Sequence, residues 1–252
     1  GRALRTSIDL RIQRLAWEAL ERKRVTGAVV VMDPRNGEVL AMASWPSYDP
    51  NLMARGPSVE KYKKLSDDPR HPFQNRAASP DAPGSIANVL VALAAAKEDQ
   101  ADRIIHCGPF VQFGNHRVRD WDQNRNEDLN LSQALQSSCN TYFMPLAVEM
   151  GRDAIAGIGA DFGFGGETAV HWPGQPQGEG INIETPGNPA IDLAFAAVGQ
   201  GRNRFSLLDT ARIFSAIAGG QIRPPIFTAG GTAPDAVSLE SLGIDWHELA
   251  II

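Results

Sequence analysis

One pair of neighbouring segments has the pattern of β-strands, and it limits the folds open to the rest of the chain. Residues 27–32 and 38–43 are short apolar runs, and the sequence between them, Asp33-Pro-Arg-Asn-Gly37, is typical of a tight turn. We predict an antiparallel hairpin over residues 28–44. Because two strands alone do not make a stable sheet, this hairpin must pack on helices or pair with further strands.

Helical periodicity accounts for most of the remaining regular structure. Apolar residues recur at helical spacing behind Ser7, which we predict to be the N-cap of a first helix. Further helices are predicted over 58–66, 85–98, 131–136, 140–150, 153–160 and 207–218, and the segment 99–128 is predicted to be irregular. We therefore expect one domain over 1–252, with the 28–44 hairpin beside a mainly helical and loop part over 45–220.

Composition excludes several classes of protein. The 252 residues are 43% hydrophobic and 21% charged, which is ordinary for a globular domain. The net charge of −5 gives no basic surface, so we expect no nucleic-acid partner. The longest apolar run, 89–96, is too short to cross a bilayer, and any membrane anchor is expected upstream of this chain.

A serine at a helix start is the strongest candidate for chemistry. Pro83-Gly84 breaks the chain directly before Ser85, and an apolar helix follows. A serine here can be a cap, but the helix N-terminus also favours the negative charge that develops when a hydroxyl attacks a carbonyl. A second polar cluster, Ser137-Ser138-Cys139-Asn140, lies between two predicted helices and can aim a hydroxyl and an amide into a cleft.

Several motifs, in their order along the chain, resemble the transpeptidase domain of penicillin-binding proteins. They are TSIDLRIQRLAWEALE, GAVVVMDPRNGEVLAMASWPSYDPN, NRA, APGS, LNLSQALQSSCNTYF, FGFG and GQG. The stretch SYDPNLMARGPSVEKYKKLSDDPRHPFQNRA is similar to the class B, elongation-type enzymes, the penicillin-binding protein 2 group. The resemblance implies the α/β (α+β) penicillin-binding/β-lactamase-like fold, with an antiparallel sheet flanked by helices plus a helical subdomain. It also implies that the C-terminal strands of the sheet are missing from this chain.

The resemblance implies acyl transfer in peptidoglycan synthesis. In the family, a serine attacks the D-Ala-D-Ala carbonyl of a stem peptide, β-lactams acylate the same serine, and the motifs S-x-x-K, S-x-N and K-T-G carry the reaction. Carried over, Ser85 is the nucleophile, Ser138 relays protons and Asn140 holds the substrate amide, while Asn88 and Cys139 complete the substrate-binding set. The implied partners are stem peptides, β-lactams and cell-elongation proteins, at the periplasmic face of the bacterial inner membrane.

Two of the three family motifs are altered or absent. Asn88 stands where the family has the lysine base, on the same helix face as Ser85, and a neutral amide cannot take the proton of a serine hydroxyl. No K-T-G is present, and TAGGTA at 228–233 comes too early and lacks the lysine. Two functions therefore stay open: a transpeptidase domain with impaired acyl transfer, and a non-catalytic pseudo-transpeptidase that binds partners or stem peptides.

The two cysteines can take one of three states. Elongation-type members can hold zinc beside the second motif, and the corresponding or neighbouring positions of this chain are His106, Cys107, His116, Asp120, Asn126 and Cys139. Asn126 stands at the histidine position, and tetrahedral zinc needs four ligands or three plus water. The cysteines can instead form a Cys107–Cys139 disulfide or remain two unrelated buried thiols. We expect no cofactor.

Overall fold

A computed structural model describes residues 3–164, 189–230 and 235–245, together with Ala250 and Ile252. Its elements are α1 (Leu10–Lys23), β1 (Gly27–Met32), β2 (Val39–Trp45), α2 (Pro50–Ala54), α3 (Val59–Ser66), a 3₁₀ turn (Gly84–Ile86), α4 (Ala87–Lys97), β3 (Ile105–Cys107), β4 (Phe110–Phe113), β5 (His116–Arg119), β6 (Glu127–Leu129), α5 (Leu131–Gln136), α6 (Asn140–Met150), α7 (Arg152–Asp161), α8 (Pro189–Ala197), α9 (Leu207–Gly219), β7 (Gln221–Ile222), β8 (Val237–Ser238) and a second 3₁₀ turn (Glu240–Leu242). None of the helices in these ranges is both long and apolar enough to cross a membrane. The predicted loop 228–233 lies only partly within the described residues.

The predicted hairpin is confirmed. β1 pairs antiparallel with β2, from Gly27 opposite Trp45 onward, and the register shifts near the turn. The turn is stabilised by two backbone hydrogen bonds, from Gly37 to Asp33 (2.9 Å) and from Asp33 to Glu38 (2.8 Å). Gly37 has a φ of +80°, a region that side chains rarely adopt, so the glycine of the Asn-Gly pair is required by the backbone.

The outer edge of β2 is closed by α1 rather than by a third strand. Gln13 donates its side-chain N–H to the Met42 carbonyl (2.9 Å) and accepts the Met42 N–H (2.7 Å). The Asp9 N–H donates to the Leu40 carbonyl at 2.9 Å. A side-chain amide therefore supplies the donor and acceptor that a neighbouring strand would offer, and this protects the edge from pairing with another chain.

The prediction that Ser7 caps the first helix is wrong. Asp9 is the N-cap, because its carboxylate accepts the N–H groups of the first turn and its backbone is extended. Ser7 is buried two residues earlier, and its Oγ lies 2.8 Å from the Val39 carbonyl oxygen and 3.0 Å from that of Ile226. The hydroxyl thus ties β2 to the segment that follows α9.

As predicted, α4 is the central buried helix. All residues over 87–96 except Val89 are buried, and Val89 packs against the same core. α5, α6, α7 and α8 surround this helix. A helix that is apolar on all sides needs such cover. Because the 3₁₀ turn with Ser85 runs directly into α4, the candidate nucleophile is attached to the most buried element of the domain.

The prediction that 99–128 is irregular is wrong. This segment forms two small antiparallel pairs, β3 with β6 and β4 with β5. Each strand has only three or four residues, and most of their side chains are exposed or half-buried. Strands this short do not show the alternation of apolar and polar residues on which a sequence prediction depends.

Candidate active site

Ser85 is exposed and does not act as a cap. The cap position of the 3₁₀ turn is Pro83 and that of α4 is Ile86, and neither end has a side-chain capping hydrogen bond. The Ser85 hydroxyl forms no hydrogen bond with the described residues and faces solvent at the N-terminal end of α4. It is therefore free to react, at the end of a helix where developing negative charge is favoured.

Two glycines fix the backbone directly before Ser85. Gly84 and Gly199 have φ values of +59° and +66°, and the Gly84 N–H donates to the Gly199 carbonyl at 3.3 Å. A Cβ on Gly199 would lie 2.1 Å from the Gly84 carbonyl oxygen. This close approach is open only to glycine, and it places the GQG motif at 199–201 against the serine turn.

Asn88 lies one helical turn after Ser85 and is 1% exposed. Its Oδ1 is buried and has no hydrogen-bond partner among the described residues. An unpaired buried acceptor costs about 1–3 kcal/mol, and such groups call for an explanation. The side chain has neither the charge nor the proton affinity of a base, so the position retains a polar group without the ability to activate Ser85.

The second predicted cluster forms the turn between α5 and α6. Ser138 has a φ of +49°, which is unusual for a residue other than glycine. Asn140 is the first residue of α6, and both it and Ser138 are half-buried. α4 packs on α5 and α6, so Ser85 and this turn belong to one packed unit. Ser85, Ser138 and Asn140 form no hydrogen bonds with one another.

Two side chains outside the turn, Trp121 and Arg125, donate hydrogen bonds to its carbonyl groups. The sequence patterns assigned neither of them a role in the site. Trp121 donates its Nε1–H to the carbonyls of Ser137 and Ser138, both at 3.1 Å, although 64% of this tryptophan is exposed. Arg125 donates from Nη2 to the Ser137 carbonyl at 3.4 Å. Nothing in the sequence separates Arg125 from the arginines that are solvated at the surface, so only the structure could reveal it.

Cys107 and Cys139 are free thiols, both 0% exposed. Cys107 Sγ lies 3.6 Å from the Ile105 carbonyl oxygen, and the interaction between the two sulfurs raises the pKa of Cys107 and lowers the pKa of Cys139. The possible disulfide is therefore not realised, since both thiols are reduced in this structure. Cys139, which we predict to contribute to substrate binding, is buried, and its Sγ lies 3.3 Å from the Thr141 hydroxyl oxygen.

The residues that the resemblance marks for zinc do not fit a metal ion. The Arg125 side chain occupies this region, with its Nε 3.5 Å from Asp120 Oδ1, and the other oxygen of Asp120 accepts the Thr141 N–H at 3.3 Å. His106 lies at the surface and bonds a neighbouring carboxylate, and His116 is exposed. Across the ranges the structure describes, no three His, Cys, Asp or Glu side chains are grouped to hold a metal.

The chain matches one known protein family over most of its length. Residues 27–240 match the family model described as the penicillin-binding protein transpeptidase domain. The chain belongs to the penicillin-binding protein transpeptidase family. The exposed Ser85 and the Ser138 turn both lie within the matched residues.

The relatives place the chain in the class B, elongation-type group. The peptidoglycan D,D-transpeptidase MrdA of Haemophilus influenzae is 38% identical over 175 residues, which are 68% of this chain and 27% of that protein. The peptidoglycan D,D-transpeptidase PbpA of Mycobacterium tuberculosis is 31% identical over 255 residues, covering 94% of this chain and 50% of the relative. The chain thus spans about half or less of the length of these relatives.

Solved structures confirm the fold. The penicillin-binding protein PBP2 of Helicobacter pylori superposes with a TM-score of 0.85 at 28% identity, over 98% of this chain and 48% of that one. An imipenem acyl-enzyme complex of penicillin-binding protein A from Mycobacterium tuberculosis gives a TM-score of 0.79 at 27% identity, over 94% and 57% of the two chains. The α/β transpeptidase fold expected from the sequence is therefore established.

Proposed function

We propose that this chain is the transpeptidase domain of a penicillin-binding protein in peptidoglycan synthesis, with Ser85 as the nucleophile and with acyl transfer impaired by Asn88. The substrate is a stem peptide that ends in D-Ala-D-Ala. The observation that carries the proposal is the exposed, unbonded Ser85 hydroxyl at the start of the buried helix α4. The imipenem acyl-enzyme of the mycobacterial relative supports β-lactams as ligands of the same site.

The chemistry of acylation predicts a slow reaction at Ser85. Ser85 Oγ attacks the carbonyl of the penultimate D-Ala, the hydroxyl proton must be accepted, and D-Ala leaves while the acyl group stays on the serine. Asn88 is neutral and cannot accept that proton. A positioned general base contributes about 10²–10⁴ in rate, so a loss of this order is expected. Ser138 relays protons and Asn140 holds the substrate amide in this proposal, and both are half-buried beside the turn.

The second candidate is a non-catalytic domain that recognises stem peptides or partner proteins. The buried Asn88 with its unpaired Oδ1 favours it, because an amide at this position keeps a polar group beside Ser85 that cannot take part in proton transfer. The solved complex of the Helicobacter pylori PBP2 with MreC suggests a protein of the elongation machinery as the partner. For either candidate we propose a location at the periplasmic face of the bacterial inner membrane, with an anchor upstream of this chain.

The two candidates differ in one measurable product. A pentapeptide that ends in D-Ala-D-Ala is incubated with the chain, binding is followed by isothermal titration calorimetry, and released D-Ala is followed by mass spectrometry. Ser85→Ala is the matched control, because it removes the nucleophile from an exposed position and leaves the core intact. Slow release that disappears in Ser85→Ala supports the impaired enzyme, and binding without release supports the non-catalytic domain. If the peptide neither binds nor reacts, the impaired enzyme and the stem-peptide form of the second candidate are both wrong.

A further inference from the structure

The turn that carries the second motif ends α5 with a left-handed residue, in the hydrogen-bond pattern of a helix C-cap. Ser138 has left-handed backbone geometry, which is unfavourable for a residue with a Cβ. Such a conformation persists where surrounding groups determine it. The backbone N–H groups of Ser138 and Cys139 donate to the Leu135 and Ala134 carbonyls, at 3.1 and 3.0 Å, and secure only the α5 side of the turn. The carbonyl side needs other partners.

Arg125 and Trp121 supply those partners. The Trp121 indole N–H is shared by the carbonyls of Ser137 and Ser138, and Arg125 Nη2 adds a second donor to Ser137. The guanidinium lies 5.7 Å from the centre of the Trp121 ring, within the range of a cation–π contact. The two side chains therefore support each other as well as the turn.

The Arg125 guanidinium is buried, so its charge needs acidic partners at close range. The Arg125 side chain is 4% exposed, and a charge so far from water must be balanced nearby. Asp120, whose side chain is 0% exposed, lies 3.5 Å from Nε, and Glu127 lies 3.2 Å from Nη1. Asp120 also accepts the Thr141 N–H in the first turn of α6. One buried ion pair thus connects both sides of the Ser138 turn.

We propose that Arg125 is a positioning residue of the second motif: its guanidinium is the cation of a metal-free clamp, formed with Asp120 and Trp121, that holds Ser138 in the left-handed conformation. Asp120, one of the residues that the resemblance marks for zinc, pairs with this guanidinium instead. The inference rests on the proposed function only in that the turn carries the second motif, and its test requires no catalysis.

The test compares Arg125→Ala with Arg119→Ala, which removes an exposed arginine from the neighbouring strand β5. Amide hydrogen exchange and the ¹H–¹⁵N resonances of Ser138, Cys139 and the Trp121 indole are measured in the full chain. We expect Arg125→Ala to accelerate exchange at Ser138 and Cys139 by on the order of tenfold or more, because charged hydrogen bonds are lost. Exchange in α4 should be unchanged, and Arg119→Ala should leave every one of these signals in place.

Three further measurements can refute the proposal. Millimolar guanidinium should restore the Ser138 resonance of Arg125→Ala. If Arg125→Ala does not fold, Trp121→Phe replaces it, because this variant keeps the Arg125–Asp120 pair. We expect Trp121→Phe to shift the amide resonances of Ser138 and Cys139. Zinc added to the unmodified chain should leave its spectrum unchanged. A uniform loss of protection through the core, no local change in either variant, or stoichiometric zinc binding by the unmodified chain would each overturn the clamp.

Discussion

At the scale of single residues, the proposed function depends most on Asn88. It is buried to 1% exposure with an unpaired Oδ1, in a helix whose other buried residues are apolar. A position selected only for packing would favour a hydrocarbon side chain, since an unpaired amide is costly in the core. The amide is therefore best explained by the site that it shares with Ser85.

Replacing Asn88 by leucine should stabilise the chain. Asn88→Leu removes a buried unpaired acceptor and keeps the number and branching of the side-chain heavy atoms, so we expect the free energy of unfolding to rise by about 1 kcal/mol. Urea denaturation measures it. Asn130→Leu is the contrasting control, because Asn130 forms the capping box of α5 and its loss should cost about 1 kcal/mol. A clear loss of stability in Asn88→Leu would show that the amide has a structural partner.

Asp33 should make the stability of the hairpin turn depend on pH. Its carboxylate accepts the Arg35 side chain (2.6 Å) and backbone N–H (2.9 Å), and these hydrogen bonds lower the pKa of Asp33 to about 2. A lowered pKa stabilises the fold fully above the usual value of 3.8, and this contribution is lost as the pH falls towards 2. Asp33→Asn should reduce the pH dependence of unfolding in that window. An unchanged slope in urea titrations would contradict this.

At the scale of elements, the contact between Gly84 and Gly199, directly before Ser85, is the most sensitive to substitution. Gly199→Ala would drive a Cβ into the Gly84 backbone, and both residues already have positive φ. We expect a loss of several kcal/mol in unfolding free energy, or displacement of the Ser85 turn. Gly157→Ala in α7 is the control, because open space surrounds it, and it should stabilise the helix by up to about 1 kcal/mol. Equal effects of both changes would refute the close packing.

How much the sequence could predict differs between elements for physical reasons. The hairpin, α4 and the α5–α6 turn followed from periodicity and turn residues, because their local preferences agree with the fold. The start of α1 was misplaced because two residues, Ser7 and Asp9, can both cap, and tertiary contacts with Ile226 decide between them. The Arg125–Asp120 pair was beyond prediction, because burial of a charge depends on neighbours distant in sequence.

At the scale of the whole molecule, the two edges of the hairpin differ. The β2 edge is covered by Gln13 and by the segment around Ile226, so the part of the chain after α9 does cover one side. The N–H and C=O groups of Met42 point towards Gln13 and away from β1. Val30 is the register partner of Met42, so its N–H and C=O groups point away from β2. Val30 faces a groove of about 440 Å³ beside α9, which Phe214 also lines.

Among the described residues no strand pairs with the outer edge of β1, and this edge should make the chain self-associate. An unpaired strand edge with apolar neighbours favours pairing with a second copy, so size-exclusion chromatography with light scattering should show a mass that grows with concentration. Val30→Lys should restore a monomer, while Val59→Lys, at a position that is 83% exposed, should leave the association unchanged. A monomer at every concentration with a high melting temperature would contradict the open edge.

The central claim is that this family member presents its nucleophile without the base that activates it. Intact-mass spectrometry after incubation with excess benzylpenicillin tests this most directly, with an active penicillin-binding protein as the positive reference. We predict that the chain keeps its unmodified mass over the time in which the reference protein is fully acylated, because Asn88 cannot accept the Ser85 proton. Stoichiometric addition of the penicilloyl group, absent from Ser85→Ala, would show that Ser85 is activated by another group and would contradict the account.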